Sequence, residues 1–256
     1  MSGRFTDRRV LVTGGSGGIG GEICRRFATE GARVFVHYSS GRNRAEQCLA
    51  GLPGSGRHEA VQADLLDAQQ VADMIDSVVD AAGGIDILVN NAGIYERHPP
   101  VEARYEEWQE IWRRTLGINL IGAANACHRA AHHMIRAGTG GRIVNISSRG
   151  AFRGEPDNPA YGASKAALNS LSQSLALALA PHRIFVYAVA PGFVETAMAR
   201  PYLTPEKIDA IREQSPLHRV AKVQDVAYWV LAMADDEAEF ATGAIVDVNG
   251  ASYLRT

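Results

Sequence analysis

Tyr161 and Lys165 stand four residues apart in the run Tyr161-Gly162-Ala163-Ser164-Lys165, which places a phenol and an ammonium on one face of a helix. Such a pair suits proton transfer, because tyrosine ordinarily titrates near about 10 and a cation within a few ångströms favours the phenolate. An isolated Tyr-x-x-x-Lys is most often a surface pair, so the chemistry depends on its company. Thr13-Gly14-Gly15-Ser16-Gly17-Gly18-Ile19-Gly20 follows an apolar run and opens a helical one, and there glycines let the backbone approach a pyrophosphate. Asn90-Asn91-Ala92-Gly93 and Pro191-Gly192 are compact turns, each after an apolar run. Ser147 and Ser148 end another such run, fourteen and thirteen residues before Tyr161. Taken alone, these turns and serines more often only satisfy backbone groups.

Short β-branched runs that could carry these turns recur at Arg9–Thr13, Arg33–His37, Glu59–Ala63, Ile85–Asn90, Arg142–Ser147, Ile184–Ala190 and Ala244–Val248. Helical patterns fall between them, at Gly18–Glu30, Arg42–Leu52, Asp67–Ala82, Val101–Ala137, Asn158–Ala180 and Val223–Asp236. Alternation of this kind predicts an α/β chain: a single Rossmann-type doubly wound domain over residues 1–256, with about seven parallel strands and helices on both faces. The stretch from Pro191 to Arg219, broken by Pro201, Pro205 and Pro216, has no sheet role and is expected to cover the site. In a parallel sheet the glycine turn, Asn90–Gly93, Ser147–Ser148 and Pro191–Gly192 all follow strand C-termini, hence lie along one edge. Ligands bind at that edge.

The end of the second strand reads His37-Tyr38-Ser39-Ser40-Gly41-Arg42-Asn43-Arg44, with no carboxylate from Arg33 through Ala45. An acidic residue there would bind an adenosine ribose and repel a 2′-phosphate, so hydroxyls and arginines favour NADP(H) over NAD(H). Arg42 and Arg44 also read as decoration of a solvated helix start. Asp64, after the third strand, could accept from an adenine amino group or cap the helix beginning near Asp67.

Composition bounds the rest. A 46% hydrophobic, 21% charged chain with net charge −2 and pI near 6.4 is ordinary for a soluble globular protein and supplies no field for nucleic acid or an anionic bilayer. The polar, basic start and short apolar runs are expected for a cytoplasmic protein, not bound to a membrane. Cys24, Cys48 and Cys127 lack metal-ligand spacing and read as reduced, inert thiols. His128 and His132 share a helix face, but without a third ligand no metal site is expected.

The ordered set Thr13-Gly14-x-x-x-Gly18-x-Gly20, Asp64, Asn90-Asn91-Ala92-Gly93, Asn119, Ser148, Tyr161-x-x-x-Lys165, Pro191-Gly192-x-x-x-Thr196 and Val248-Asn249-Gly250 resembles the short-chain dehydrogenase/reductases over nearly the whole chain. It is most similar to their 3-oxoacyl-carrier-protein-reductase-like branch. The resemblance implies that Tyr161 is the general acid in ketone reduction and that Ser148 hydrogen-bonds the substrate oxygen. It implies further that Lys165 holds the nicotinamide ribose and depresses the Tyr161 pKa, and that Asn119 supports a water chain from that lysine. Cofactor contacts would come from Gly14, Ser16, Gly18, Ile19, Gly20, Tyr38, Ser39, Arg42, Asp64, Leu65, Asn91, Ala92, Gly93, Tyr161, Lys165, Pro191, Gly192, Val194 and Thr196.

Three features depart from the pattern. Ten residues separate Trp108 from Asn119 where about six are common, so Ile111–Arg114 reads as an extra helical turn. The run Leu175–Ala180 lacks the basic residue that carrier-protein reductases tend to place there, which weakens a role in fatty-acid synthesis. Arg149, Arg153 and Glu155 form a charged cluster just after the serine, either selecting a polar or acidic substrate or simply solvated. The chain is thus expected to be an oxidoreductase moving hydride between NADP(H) and a small-molecule carbonyl or secondary alcohol, working as a homotetramer or homodimer. The alternatives are a non-catalytic dinucleotide-binding regulator and a lyase, epimerase or dehydratase on the same site. Candidate substrate walls are Tyr95, Arg149, Phe152, Arg153, Met198 and Tyr202.

Overall fold

The computed structural model describes residues 3–54, 57–200 and 204–255. Its centre is one sheet of seven strands: β1 (Arg9–Val12), β2 (Arg33–Tyr38), β3 (Glu59–Gln62), β4 (Ile87–Asn90), β5 (Gly141–Ile146), β6 (Ile184–Pro191) and β7 (Ile245–Val248). Every pairing is parallel and the order is β3-β2-β1-β4-β5-β6-β7. Strand order therefore reverses between β1 and β4, which opens a crevice at their C-terminal ends.

Side chains on successive strand residues point to opposite faces, and the sequence fills both. Val10, Val12, Val34, Val36, Ile87, Val89 and Val144 enter one buried cluster with Ile23, Phe27, Val226 and Val230 of helices α1 (Gly18–Thr29) and α8 (Val223–Ala234). Leu11, Phe35, Leu88, Ile143 and Val186 enter the other, against Val71, Ile75, Val78, Ala126, Ala130 and Met134 of α3 (Ala68–Ala82) and α5 (Ala123–Ala137). The near-continuous apolar strand runs are the mark of this two-sided burial.

Helix α3 starts where Asp67 caps it, its Oδ1 accepting from the Gln69 and Gln70 amides at 2.9 and 3.1 Å. Asp64 takes no part in that cap, and its Oδ1 instead accepts from the Leu66 amide at 3.0 Å and closes a local turn. Helix α2 spans Arg42–Ala50, and α6 spans Pro159–Leu179 with Pro159 in its first turn.

The expected helix over Val101–Ala137 is instead α4 (Tyr105–Leu116), a π-helical turn over Gly117–Gly122, and α5. Two glycines bracket that turn, and a Cβ on Gly122 would meet the Leu65 carbonyl at 2.6 Å. A π-turn inserts an extra residue per turn and re-aims the side chains within it, here Asn119. Six residues separate Trp112 from Asn119, so the interval implied by the resemblance is met from Trp112 and no added turn is needed. Trp108 and Trp112 pack on each other, ring centroids 5.5 Å apart. The insertion after β6 carries one short helix, α7 (Pro205–Arg212). Pro201 and Tyr202 lie outside the described residues.

No helix among the described residues is long and apolar enough to cross a membrane. Leu88 lies in the central strand with no exposed surface. Leu88→Ala should cost about 2–5 kcal/mol in urea unfolding. A loss below about 1 kcal/mol would contradict the packing described.

Candidate active site

Each β-strand delivers its turn to the same edge, and side chains then lock the turns together. The Thr13 hydroxyl accepts from the Asn91 and Ala92 amides, both at 3.0 Å. Asn91 returns the contact, donating through Nδ2 to the carbonyls of Thr13 and Gly14 at 2.9 and 3.1 Å. The glycine turn after β1 and the turn after β4 are thus one unit. Gly20 is required within it, because a Cβ there would lie 2.3 Å from the Gly14 carbonyl oxygen and 2.5 Å from Asn91 Nδ2. Gly18 takes a φ of +56°, which turns the chain into α1 and leaves the helix's first amides facing the crevice.

His37 was not legible as part of this unit. Its Nδ1 accepts from the Gly14 amide at 3.0 Å while Nε2 pairs with the Ala63 carbonyl at 3.1 Å, which makes Nε2 the protonated nitrogen of a neutral ring. Burial keeps it neutral by lowering its pKa. Cys48 and Cys24 also meet beneath the turn, their thiols 3.4 and 3.8 Å from the Gly15 carbonyl. Histidine and cysteine in strand or helix interiors carry no sequence signal for such a role.

A cavity of about 440 Å3 runs from this turn to the serine and tyrosine. Gly14, Ser16, Gly18, Ile19, Asn91, Ala92, Gly93, Ser148, Tyr161, Lys165, Pro191, Gly192, Val194 and Thr196 line it, as expected from the sequence. Gly20, Tyr38, Ser39, Arg42, Asp64 and Leu65 do not. Arg42 is 75% exposed and its guanidinium pairs with Glu46 one helical turn on, at 2.8 Å, because the helix geometry presents that carboxylate on its own face. Arg44 lines the cavity instead, its guanidinium lying over Gly41. Leu65 is buried in the core cluster of α3 and α5. Tyr38 ends β2, and Ser39 and Asp64 follow the ends of β2 and β3, beyond the cavity wall.

At the other end, Ser147 is buried and donates to the Lys165 carbonyl at 3.4 Å, so it is a structural serine. Ser148 faces the cavity, its hydroxyl accepting from the Gly150 amide at 3.0 Å and within hydrogen-bond reach of the Tyr161 hydroxyl. Tyr95 packs edge-on against Tyr161, centroids 4.6 Å apart. Lys165 is 4% exposed and donates from Nζ to the Ile146 carbonyl at 2.7 Å.

Burial dominates the electrostatics of this pair. It pushes the Tyr161 phenol up to about 12, against a smaller lowering by the Ser148 hydrogen bond. It pulls the Lys165 ammonium down to about 8. Lys165 does not offset this desolvation: its ammonium is 5.7 Å from the ring centroid and held by the Ile146 carbonyl.

Asn119 is committed to the wall. Its Oδ1 accepts from the Ile94 amide at 2.8 Å, and Nδ2 donates to the Ile94 carbonyl and the Ser164 hydroxyl at 3.0 and 3.1 Å. Of the expected substrate walls, Tyr95, Arg149 and Met198 line the cavity, whereas Phe152 and Arg153 do not. Phe193, Ala197 and Ala199 line it without having been singled out, since small and apolar loop residues announce nothing by type.

These residues fit a dinucleotide. The close-packed glycine turn offers helix amides to a pyrophosphate, and a Cβ on Gly18 would reach within 3.6 Å of Thr196 across the mouth of the cavity.

Known proteins share the arrangement. A family described as enoyl-(acyl carrier protein) reductase matches residues 14–251. The 3-oxoacyl-[acyl-carrier-protein] reductase FabG of Staphylococcus epidermidis is 34% identical over 97% of this chain and all of its own. That of Staphylococcus aureus is 36% identical over 96% of this chain and 98% of its own. Among solved structures, a short-chain dehydrogenase/reductase of Brucella melitensis, named a glucose/ribitol dehydrogenase, superposes with TM-score 0.90 at 32% identity over both whole chains. A short-chain dehydrogenase of Burkholderia cenocepacia in complex with NADP superposes with TM-score 0.87 at 35% identity, over 97% of this chain and 99% of its own. The chain belongs to the short-chain dehydrogenase/reductases, as a nicotinamide-dependent oxidoreductase acting on carbonyl and alcohol groups.

Proposed function

We propose that this protein reduces the carbonyl group of a small or medium organic substrate with NADPH, and oxidises the corresponding secondary alcohol in reverse, with Tyr161 as the proton donor. The observation that carries this reading is a half-buried phenol, its pKa raised by desolvation, beside Ser148 and Lys165 in the same cavity as the glycine turn. Bound along that cavity, the nicotinamide dinucleotide supplies or accepts the hydride. Ser148 donates a hydrogen bond to the substrate oxygen, and that bond strengthens as negative charge gathers there. Tyr161 then delivers the proton. Its raised pKa suits reduction, because the phenol remains protonated at neutral pH. Lys165 has donors left beyond the Ile146 carbonyl and offers them to ribose hydroxyls. Asn119 acts by fixing the segment Gly93–Ile94 against which Lys165 stands, since its amide is fully engaged.

Preference for NADP(H) rests on the carboxylate-free end of β2 and on Arg44. The NADP complex of the Burkholderia relative is consistent with it. The described part of the segment after β6 serves as the cover: Thr196 stands over Gly18, and Val194 is anchored by a bridge to Ala221.

Tyr161→Phe should lower kcat by about 10²–10⁴-fold while the NADPH dissociation constant, followed by nucleotide fluorescence, shifts by less than about threefold. Near-normal turnover would refute the assigned acid. Ultraviolet difference titration of wild type against Tyr161→Phe should show no phenolate from this residue between pH 7 and 9, given a pKa pushed up to about 12; a phenolate signal in that window would overturn the desolvation account. Arg44→Ala should weaken NADPH by about tenfold or more and NADH by less than about twofold, the loss of one charge-assisted contact. Equal losses would remove the phosphate assignment.

A further inference from the structure

The charged cluster after Ser148 divides in the structure. Arg153 is exposed, whereas Arg149 retains only 5% of its surface. Arg149 opens the 3-10 turn Arg149–Ala151 directly after the serine and lines the same cavity as Ser148, Tyr161 and Lys165. One guanidinium nitrogen donates to the Ser252 hydroxyl at 2.7 Å, and the group lies over the Phe193 ring at 5.6 Å. Neither contact neutralises it.

A buried cation is costly unless a carboxylate pairs with it. Among the described residues no carboxylate oxygen lies within 4.0 Å of this guanidinium. The carboxylates nearest in space are engaged elsewhere. Glu155, on the other side of Gly150, accepts from the Tyr95 hydroxyl at 3.3 Å. Behind Arg149 and Phe193 lies a second cavity whose two carboxylates, Asp225 and Asp247, pair with Arg219 at 2.6 Å and Arg255 at 2.7 Å. Burial, and after it the neighbouring Arg153, lower the Arg149 pKa although the Glu155 carboxylate offsets part of the shift, and burial raises the pKa of Glu155.

The tail holds Arg149 where it is. Besides Ser252, the Tyr253 hydroxyl donates to the Phe152 carbonyl at 3.0 Å and Arg255 stacks on the Phe152 ring at 4.5 Å. Ser252 lines the second cavity, so its contact holds the guanidinium between the two cavities and away from solvent. A planar guanidinium matches a carboxylate with two parallel hydrogen bonds. The cavity, about 440 Å3 and shared with a nicotinamide, leaves room for a small acid.

We propose that Arg149 is the anion-recognising residue of the substrate site, and that the preferred substrates are small oxo acids whose carboxylate pairs with it. The inference rests on the carbonyl reduction proposed above and adds the class of substrate. In the reverse direction the substrates are the matching hydroxy acids.

The test uses matched probes on the whole protein with NADPH: pyruvate, acetoacetate and levulinate, each beside its methyl ester. The ester keeps the carbonyl and removes the charge. For at least one pair, kcat/KM should favour the acid by about tenfold or more, and Arg149→Met should reduce that acid-to-ester ratio by about 10- to 100-fold. Arg149→Lys should restore part of it. Calorimetric binding of propionate and propionamide to the NADP+ complex gives a readout that needs no turnover: the acid should bind tighter, and the preference should vanish in Arg149→Met. Ester preferred over acid in every pair, or an acid-to-ester ratio unchanged in Arg149→Met, would overturn the assignment of Arg149. Turnover of the esters that survives Tyr161→Phe would instead refute the catalytic reading, so the two failures are distinct. If Arg149→Met does not fold, Arg149→Lys and the wild-type probe pairs decide: an anion preference in wild type that is unaltered by lysine, whose ammonium cannot form the two-pronged pair, counts against Arg149.

Discussion

Desolvation of two ionisable groups at one point governs this molecule. Lys165 is buried and Tyr161 half-buried at the cavity, and desolvation drives each toward its neutral form. Opposite charge at short range is the usual way to tune such a pair, yet here the ammonium is spent on the Ile146 carbonyl and the phenol meets Ser148. The result is a phenol held in its protonated form at neutral pH. That is the state a carbonyl reductase requires.

Holding this pair in place requires stiff walls, and the hydrogen bonds show how they are made. Asn119 grips Ile94 at both its amide and its carbonyl, and the π-turn around it exists to aim that side chain. Thr13 and Asn91 tie the glycine turn to the end of β4, while His37 reaches from β2 to hold the Gly14 amide. Asn90, Asn145 and Ser172 continue the chain of amides and hydroxyls under the sheet edge, at 2.9 Å for each link. None of these groups needs to touch a reacting atom; they fix those that do.

The same logic separates the two ends of the cavity. At the dinucleotide end the walls are small residues and backbone, which suit a ligand held by its phosphates and faces. At the substrate end stand Tyr95, Arg149, Glu155 and Met198, larger and chemically varied. Arg149 and Glu155 bring charge as well as shape to that end of the cavity.

Much of this was legible in the sequence. Strand and helix alternation fixed the parallel sheet, because apolar β-branched runs of this length bury on both faces only in that architecture. That Ser148, Tyr161 and Lys165 gather at one cavity was legible as well, since they sit at spacings that one strand end and one helix impose. Other features were not. Arg42 and Arg44 look equivalent in the chain, and only the rotation of α2 turned one toward Glu46 and the other toward the cavity. The long helix read over Val101–Ala137 broke at Gly117–Gly122 because packing against Leu65, invisible in periodicity, decided the local geometry. The sequence by itself determined which chemistry is present and along which edge it gathers, as strand direction and local spacing follow from the chain alone. Tertiary structure decided which charges are paired, buried or exposed, because desolvation depends on neighbours far away in sequence, as Ser252 is from Arg149.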